Sequence, residues 1–166
     1  MRTIKRNYLE IKSLDELFEL SKPSENLNLE LVLPPDFQLN KFFYKKIEKK
    51  LNWVDRLDWS DDKWIKYLND KSVSTYILKE KNNLVGYYEQ IINEEKLDYE
   101  IAYFGIFDEY IGKKFGGYLL SEAIKNAFQL KAKRIWVHTC SLDHKHALDN
   151  YLSRGMKIFK SENMTL

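Results

Sequence analysis

Residues 100–120 constrain the fold more than any other part of this chain. They read as an apolar strand, a short turn that contains glycines and lysines, and an amphipathic helix. Such a turn leaves backbone N–H groups without intrahelical partners at the start of a helix. Together with the helix dipole, these groups form a phosphate-binding site. Lys113 and Lys114 add positive charge there. We therefore expect the turn to bind a phosphate or pyrophosphate group.

The same turn is also compatible with an ordinary connection between a strand and a helix, without any ligand. Neither of two well-known phosphate signatures is present. The segment 112–116 lacks the spacing and the Lys-Ser/Thr pair of GxxxxGK[ST], and no GxGxxG follows an early βαβ unit. The local pattern alone leaves both interpretations open.

Composition limits the class of protein. The 166 residues fit one domain, which we expect to span residues 1–166. A net charge of +2 is too balanced to indicate nucleic acid binding. No apolar run approaches the ~20 residues of a membrane span, and no signal-peptide core is evident near residue 1. A single cysteine, Cys140, excludes an internal disulfide. We therefore expect a cytoplasmic protein that binds neither nucleic acid nor membrane.

Hydrophobic periodicity predicts the order of the elements. Strands are predicted at 3–11, 73–80, 83–92, 98–107, 134–140 and 156–160, with 27–33 as a short strand or extended segment. Helices are predicted at 13–20, at 39–51, after Ser60, after the glycine turn, and from Asp143 to Gly155. This order predicts a mixed sheet flanked by helices.

The order of elements, with a glycine turn between the fourth core strand and the next helix, resembles the GNAT superfamily of acetyl-CoA-dependent N-acyltransferases. The signature of that family, [Gln/Arg]-x-x-Gly-x-[Gly/Ala], falls on residues 111–116. Gly116 matches the last position, whereas Ile111 and Lys114 depart from the first and fourth. Lys114 stands where a glycine is usual, at a point where the backbone approaches the pyrophosphate closely.

A second feature of the family lies near the C-terminal end. Ala147, Tyr151 and Gly155 match it, whereas His144 replaces an Asn and Met156 replaces an aromatic residue. The chain also resembles one bacterial subgroup almost end to end, in the segments 52–64, 86–89, 100–105 and 136–144. This resemblance supplies the chemistry but not the acceptor.

The resemblance implies an α/β (α+β mixed) fold with a mostly antiparallel central sheet, splayed between the fourth and fifth core strands. It implies an N-acetyltransferase, monomer or homodimer, that moves the acetyl group of acetyl-CoA directly to a primary amine. The implied cofactor contacts are Phe104, Gly105, Ile106, Ile111, Gly112, Lys113, Lys114, Phe115, Gly116, Gly117 and His144. Gly105 is expected to permit a strand distortion that exposes backbone donors to the thioester.

Two glutamates are candidates for the general base. If the hairpin is centred on Glu94 and Glu95, Glu89 lies directly opposite Glu100. Like charges that face each other across a ladder raise the pKa of at least one carboxyl group, which suits a base near neutral pH and attracts a cationic amine. Alternatively, both glutamates are solvated on an exposed face, or the register differs.

Tyr151 is the candidate acid for the CoA thiolate, on the strength of its spacing to Ala147 and Gly155. From position alone it would be an ordinary helix tyrosine whose ring packs with Leu148 and Leu152. Its assignment as the acid therefore depends on the family resemblance.

All three histidines and the only cysteine fall within nine residues, at His138, Cys140, His144 and His146. A metal site or a Cys-His nucleophile is not expected, because His144 and His146 splay apart on a helix and His-x-Cys is not a usual zinc spacing. We expect His138 and Cys140 to line the acyl pocket, or simply to be buried.

The tryptophans and the lysines before the second core strand also have two interpretations. Trp53 and Trp59 are expected in the acceptor wall or in the core. The lysines of 41–50, with Glu48 among them, indicate a solvated helix face. Two rival functions remain. One is a CoA-binding sensor without activity, favoured by the departures at Ile111, Lys114 and His144. The other is an RNA- or protein-binding module that uses residues 41–50.

Overall fold

The computed structural model describes residues 2–48 and 55–165, which form a seven-stranded sheet with helices on both faces. The strands are β1 (Thr3–Ile11), β2 (Leu27–Leu31), β3 (Val73–Glu80), β4 (Asn83–Asn93), β5 (Asp98–Ile106), β6 (Arg134–Cys140) and β7 (Lys157–Thr165). The helices are α1 (Phe37–Phe43), α2 (Asp61–Asn69), α3 (Phe115–Gln129) and α4 (Ala147–Ser153), and α1 continues into a π-helical turn, Tyr44–Glu48. None of the helices in the described ranges is long and apolar enough to cross a membrane.

The sheet has the order β2-β3-β4-β5-β6-β1-β7. Every neighbouring pair is antiparallel except β5 and β6, which run parallel. The prediction of a mixed, mostly antiparallel sheet is therefore confirmed. The parallel pair is short, because only Asp98–Glu100 and Arg134–Trp136 face each other before the strands part. The predicted splay therefore lies between β5 and β6, the fourth and fifth core strands of the sequence-based prediction.

The register predicted for the hairpin of β4 and β5 is wrong. Asn93 pairs with Asp98, so the turn contains four residues, and Glu100 lies opposite Ile91. A bulge then shifts the register again, so that Glu89 lies opposite Tyr103. The turn includes Leu97 in the left-handed region (φ 55°), and alternation of side chains along the strands does not reveal such a residue.

Helix boundaries agree with the sequence where a side chain caps the backbone. Ser60 accepts a hydrogen bond from the N–H of Lys63 and begins α2 as predicted. The prediction that Asp143 caps a helix is wrong, since α4 begins at Ala147. Its carboxylate accepts hydrogen bonds from the Thr139 hydroxyl and the Cys140 N–H instead, which closes the turn after β6. The capping box at Ser13 begins only a 3₁₀ turn, Leu14–Glu16.

Apolar residues fill both faces of the sheet. The larger cluster lies between the sheet and α3, and it includes Leu119, Leu120 and Ile124, which are fully buried. The opposite face packs against α1 and α2, where Phe43 stacks on Tyr87 with ring centroids 4.5 Å apart. This second face carries the side chains of Glu89 and Glu100, because each lies on the same face of the sheet as Ile91.

The close contact between Gly155, in the turn after α4, and the backbone of Glu16 can be tested by mutation. Gly155 has a φ of 101°, and a Cβ there would meet the carbonyl oxygen of Glu16 at 2.1 Å. We expect Gly155→Ala to lower the free energy of unfolding by about 3 kcal/mol or more, because both backbone strain and a backbone clash must be relieved. Urea denaturation measures this change.

Gly112→Ala is the matched control, since Gly112 also has a positive φ (86°) but has no atom within 4 Å of the added Cβ. Its expected loss is about 1 kcal/mol, which is the conformational cost alone. If both variants lose the same free energy of unfolding, the backbone near Glu16 accommodates the added Cβ at no energetic cost.

Candidate active site

A cavity of about 680 Å³ opens between β5 and β6 where the two strands part. This volume lies in the range of small-molecule and cofactor sites. Its walls come from β5, the start of α3, the start of α4 and the π-helical turn after α1. Elements distant in sequence therefore meet at the splay.

The N-terminus of α3 forms one end of the cavity. The first intrahelical hydrogen bond runs from the N–H of Tyr118 to the carbonyl of Lys114, so the N–H groups of Phe115, Gly116 and Gly117 precede it. Lys114 stands at a φ of 68°, in the left-handed region that favours glycine. The turn thus adopts a glycine-like backbone although lysine occupies the position. These donors and the helix dipole fit a pyrophosphate group.

Packing between helices holds this turn in place. The amide of Asn150 on α4 donates to the carbonyl of Gly116 at 3.2 Å. A Cβ on Gly117 would lie 2.3 Å from Nη1 of Arg154 and 2.4 Å from the side chain of Leu20. Glycine at 117 therefore allows α3 and α4 to approach closely.

The structure brings most of the predicted cofactor residues to the cavity. The lining includes Phe104, Gly105, Ile106, Ile111, Gly112, Lys114, Gly116, Gly117 and His144. Two others do not line it. Phe115 packs in the core, and the ammonium group of Lys113 lies 5.7 Å from the ring centre of Tyr110.

The strand β5 carries a bulge beside the cavity, but at Ala102 and not at Gly105, which pairs regularly with Tyr87. Glu89 faces Tyr103 and Gln90 faces Ile101, so Ala102 is the extra residue. A Cβ on Gly105 would lie 2.4 Å from Cγ2 of Ile47, so the π-helical turn packs directly onto this strand. Glycine at 105 therefore lets the turn lie against the strand.

Glu48, the last residue of the π-helical turn, is a buried carboxyl group that lines the cavity. It accepts a hydrogen bond from the Tyr87 hydroxyl at 3.1 Å. The pKa of Glu48 is raised to about 8, mainly by burial; the charges of Asp143 and Glu89 contribute to the rise, whereas the bond from Tyr87 and the charge of Arg56 oppose it. The expectation that Glu48 lies on a solvated face is wrong.

Sequence reasoning missed Glu48 because lysines surround it. A weaker signal was present, however. Asn40, Tyr44 and Glu48 recur every four residues beside the apolar stripe, and all three are buried. A polar stripe at helical spacing next to an apolar stripe indicates a buried polar network.

Glu89 is also buried but is fully engaged. Its carboxylate accepts from Arg56 at 3.0 and 3.1 Å, from the amide of Asn40 at 3.0 Å and from the hydroxyl of Tyr67 at 2.8 Å. It does not line the cavity. A carboxylate compensated by a guanidinium group and two further donors is a structural anchor. The structure thus does not bring Glu89 together with Glu100 as a catalytic pair.

Aromatic rings enclose the guanidinium group of Arg56. Its central carbon lies 4.0 Å from the ring centre of Tyr103, and the rings of Trp59, Trp64 and Tyr67 lie within 5.3 Å. Trp59 therefore contacts Arg56 and does not line the cavity. Trp53 lies outside the described residues.

Glu100 lines the cavity at the last position where β5 pairs with β6. Burial raises the pKa of its carboxyl group, and the charge of Arg56 opposes this shift. Glu100 also lines a neighbouring cleft of about 620 Å³ on the side of Trp136 and Asp98. It therefore lies between two openings at the splay.

Tyr151 lines the cavity from α4, with its ring centre 6.2 Å from that of Phe104. Burial raises the pKa of the phenol, and the carboxyl groups of Asp143 and Glu48 raise it further. The hydroxyl is thus protonated at neutral pH, as a proton donor must be.

The histidines and the cysteine do not act together. His138 lines the cavity, and burial together with the charge of Arg6 lowers its pKa. Cys140 is buried away from the cavity, and burial raises the pKa of its thiol. Nδ1 of His144 accepts from the N–H of His146 at 3.2 Å. Within residues 2–48 and 55–165, no cluster of these residue types is arranged to hold a metal ion.

The sequence matches the profile described as the acetyltransferase (GNAT) family over residues 37–156. No curated protein sequence matches the chain significantly.

Solved structures share the fold at low identity. An aminoglycoside acetyltransferase from an uncultured soil metagenomic sample, in complex with trehalose, is 15% identical with a TM-score of 0.67, over 80% of this chain and 90% of that one. An acetyltransferase from Bacillus subtilis in complex with CoA is 23% identical with a TM-score of 0.56, over 78% and 75%. A functionally unknown conserved protein from Staphylococcus epidermidis is 15% identical with a TM-score of 0.66, and 98% of this chain spans 60% of that one. At these identities the likeness establishes the fold.

The raised pKa of Glu48 generates a prediction about stability. The carboxyl group has a pKa of about 8 in the folded chain and 4.5 as its ordinary value. Its contribution to stability is therefore fully present below pH 4.5 and is lost as the pH rises to 8. We expect Glu48→Gln, which cannot ionise, to gain a few kcal/mol of stability relative to the wild type between pH 5 and pH 9. Urea denaturation of both proteins across this range measures the difference.

Glu25→Gln is the control, because Glu25 is exposed. Its stability relative to the wild type should not change between pH 5 and pH 9. If the free energies of unfolding of Glu48→Gln and the wild type differ by the same amount at every pH in this range, Glu48 is not a buried, neutral carboxyl group.

Proposed function

Because this chain belongs to the acetyltransferase (GNAT) family, we propose that it moves an acetyl group from acetyl-CoA to the nitrogen of a primary amine by direct transfer. One observation carries this proposal. A single cavity connects the free N–H groups at the start of α3 with the carboxyl groups of Glu48 and Glu100. An anionic cosubstrate and a cationic acceptor therefore have complementary ends in one site.

The end formed by α3 holds the pyrophosphate of acetyl-CoA in this proposal. The backbone N–H groups of Gly116 and Gly117, which line the cavity, donate hydrogen bonds, and Lys114 adds a positive charge at the same turn. Since the contacts are made by the backbone, the side chain at 111 is free to be an isoleucine. When bound, acetyl-CoA supplies an activated acyl group as a thioester.

The acyl group lies along β5 in this proposal. After the bulge at Ala102, β5 pairs with β4 again through residues 103–106, so only its other edge, from which β6 has parted, lacks a strand partner there. Backbone groups of 104–106 therefore line the cavity, where an N–H can donate to the thioester oxygen.

The opposite end of the cavity attracts a cation. Asp55 and Glu100 line it, Glu48 adds a negative charge only in its ionised form, and the charge of the nearby Arg56 is balanced by Glu89. Such a field binds an ammonium group and disfavours an anion. Aminoglycosides are polycationic amines, and a protein of the same fold is described as an aminoglycoside acetyltransferase. Amines of this class are therefore suitable first acceptors, and we also propose a cytoplasmic location.

Two rival functions make different predictions. A CoA-binding sensor binds CoA but releases no thiol when an amine is present. A module that binds RNA or protein through 41–50 needs exposed lysines. Lys45 and Lys46 are exposed, whereas Lys41 is half-buried and pairs with Asp61 at 3.0 Å.

The central prediction is that acetyl-CoA binds and is consumed. Acetyl-CoA should raise the midpoint temperature of thermal unfolding. At a hundredfold excess over its dissociation constant, it should stabilise the folded chain by about 2.7 kcal/mol. Sisomicin, tyramine, cadaverine and Nα-acetyl-lysine are then screened for the release of free thiol. Binding without thiol release from any amine would favour the sensor, and the absence of binding would exclude both.

Tyr151→Phe should lower kcat by about tenfold or more, because the leaving thiolate loses its proton donor. The free energy of unfolding should change little, since the ring remains. Tyr118→Phe is the matched control, because Tyr118 is a buried tyrosine of α3 that does not line the cavity. If the two variants retain equal kcat with the best amine, Tyr151 is not the acid.

A further inference from the structure

We propose that Glu48, and not a glutamate of the sheet, accepts the proton that the amine loses, while Glu100 binds the ammonium group before transfer. This inference rests on the proposed acetyltransferase function and assigns two separate roles within it. It follows from the positions of the two carboxyl groups relative to the distorted part of β5.

Glu48 lies next to the predicted acyl site. Its neighbour Ile47 packs onto Gly105, and its hydrogen-bond partner Tyr87 is the residue paired with Gly105 across the ladder. Two independent contacts therefore place the Glu48 carboxyl group beside the segment 104–106. A π-helical turn ends α1 at this point, and such turns frequently occur at functional sites.

Glu100 lies too far along the strand for the same role. Glu100 faces Ile91 and Phe104 faces Tyr88, three steps along β4. At about 3.3 Å per residue, the Cα of Glu100 is therefore roughly 10 Å from that of Phe104. A glutamate side chain does not bridge this distance to form a direct hydrogen bond. Its place between the two clefts instead suits it to bind an incoming ammonium group.

The surroundings of Glu48 favour proton acceptance. The charged and titratable groups that face it are Tyr87 and Glu89 on β4, Arg56 before α2, Asp143 after β6, and Tyr151 on α4. The carboxyl group of Glu89 is compensated by a guanidinium group, whereas the bond to Glu48 comes from a phenol. Burial outweighs the effect of this bond, so the pKa of Glu48 is raised to about 8.

The step balances in atoms and charge. The ammonium group held by Glu100 first releases one proton to solvent, which leaves a neutral amine. As the amine nitrogen bonds to the acyl carbon, its next proton passes to the carboxylate of Glu48. The bond between carbon and sulfur breaks, and the thiolate takes the proton of the Tyr151 hydroxyl. Solvent then removes the proton from Glu48 and restores that of Tyr151. Protonation of Glu48 also removes one of the negative charges that hold the proton on Tyr151, so the first transfer assists the second.

The pH dependence of kcat and KM distinguishes the roles of the two glutamates. It is measured with acetyl-CoA and the amine that gives the highest turnover. Glu48→Gln should lower kcat at least about a hundredfold and abolish its rise with pH near 8. Glu100→Gln should raise the KM of the amine about tenfold, with kcat within about threefold and the rise in kcat retained. Glu25→Gln, an exposed site, should leave both parameters unchanged.

A second variant distinguishes catalysis from packing. Tyr87→Phe leaves Glu48 in place but removes the hydrogen bond that lowers its pKa, so the rise in kcat should move to higher pH. A purely structural role of Glu48 predicts no such movement.

Different failures have different meanings. If transfer occurs but Glu48→Gln keeps the wild-type pH profile, or if Glu100→Gln abolishes the rise in kcat, the proposed base is wrong and the proposed function stands. If the wild type transfers no acetyl group to any amine of the panel, both proposals are overturned.

Discussion

The parting of β5 from β6 is the constraint on which the site depends. The two parallel strands pair only through Asp98–Glu100 and Arg134–Trp136, and their carboxyl-terminal halves diverge. Backbone groups that a continuous sheet would consume therefore face a cavity. The start of α3, the start of α4 and the π-helical turn all reach the site by packing around this gap. A sheet closed here would leave the glycine turn and the buried carboxyl groups without a common space.

Two buried carboxyl groups lie on the same side of the sheet, and their partners decide what each can do. Glu89 is ion-paired with Arg56 at 3.0 Å, and four aromatic rings around the guanidinium group keep water away from the pair. Removing one partner of such a pair leaves a buried charge without compensation, at a cost of about 3–5 kcal/mol. Glu48 accepts a hydrogen bond from a phenol, which does not offset its burial, and its pKa is raised to about 8. The same residue type thus provides an anchor in one place and a titratable group in the other.

Local signals predicted the elements well, because capping and periodicity depend on neighbouring residues. Ser60 begins α2, Gly155 ends α4 with a positive φ, and the amphipathic stripe after the glycine turn is α3. The register of β4 and β5 could not be predicted in this way, because it depends on the length of the turn and on a bulge. Glu48 was missed for a related reason. Its burial results from the contact of a π-helical turn with Gly105, 57 positions later in the sequence.

The departures from the family signature lie at the end of the cavity that is formed by the start of α3. Lys114 adopts a φ of 68°, and a residue other than glycine pays roughly 1–2 kcal/mol for this conformation. The chain therefore keeps the backbone geometry that a glycine would give, and it adds a positive charge where a pyrophosphate is expected. Ile111 and His144 also line the cavity, while the proposed mechanism assigns the transfer itself to Glu48, Glu100 and Tyr151. In that mechanism, substitutions that preserve the backbone donors affect the affinity for acetyl-CoA and not the transfer step, so they do not favour a sensor without activity.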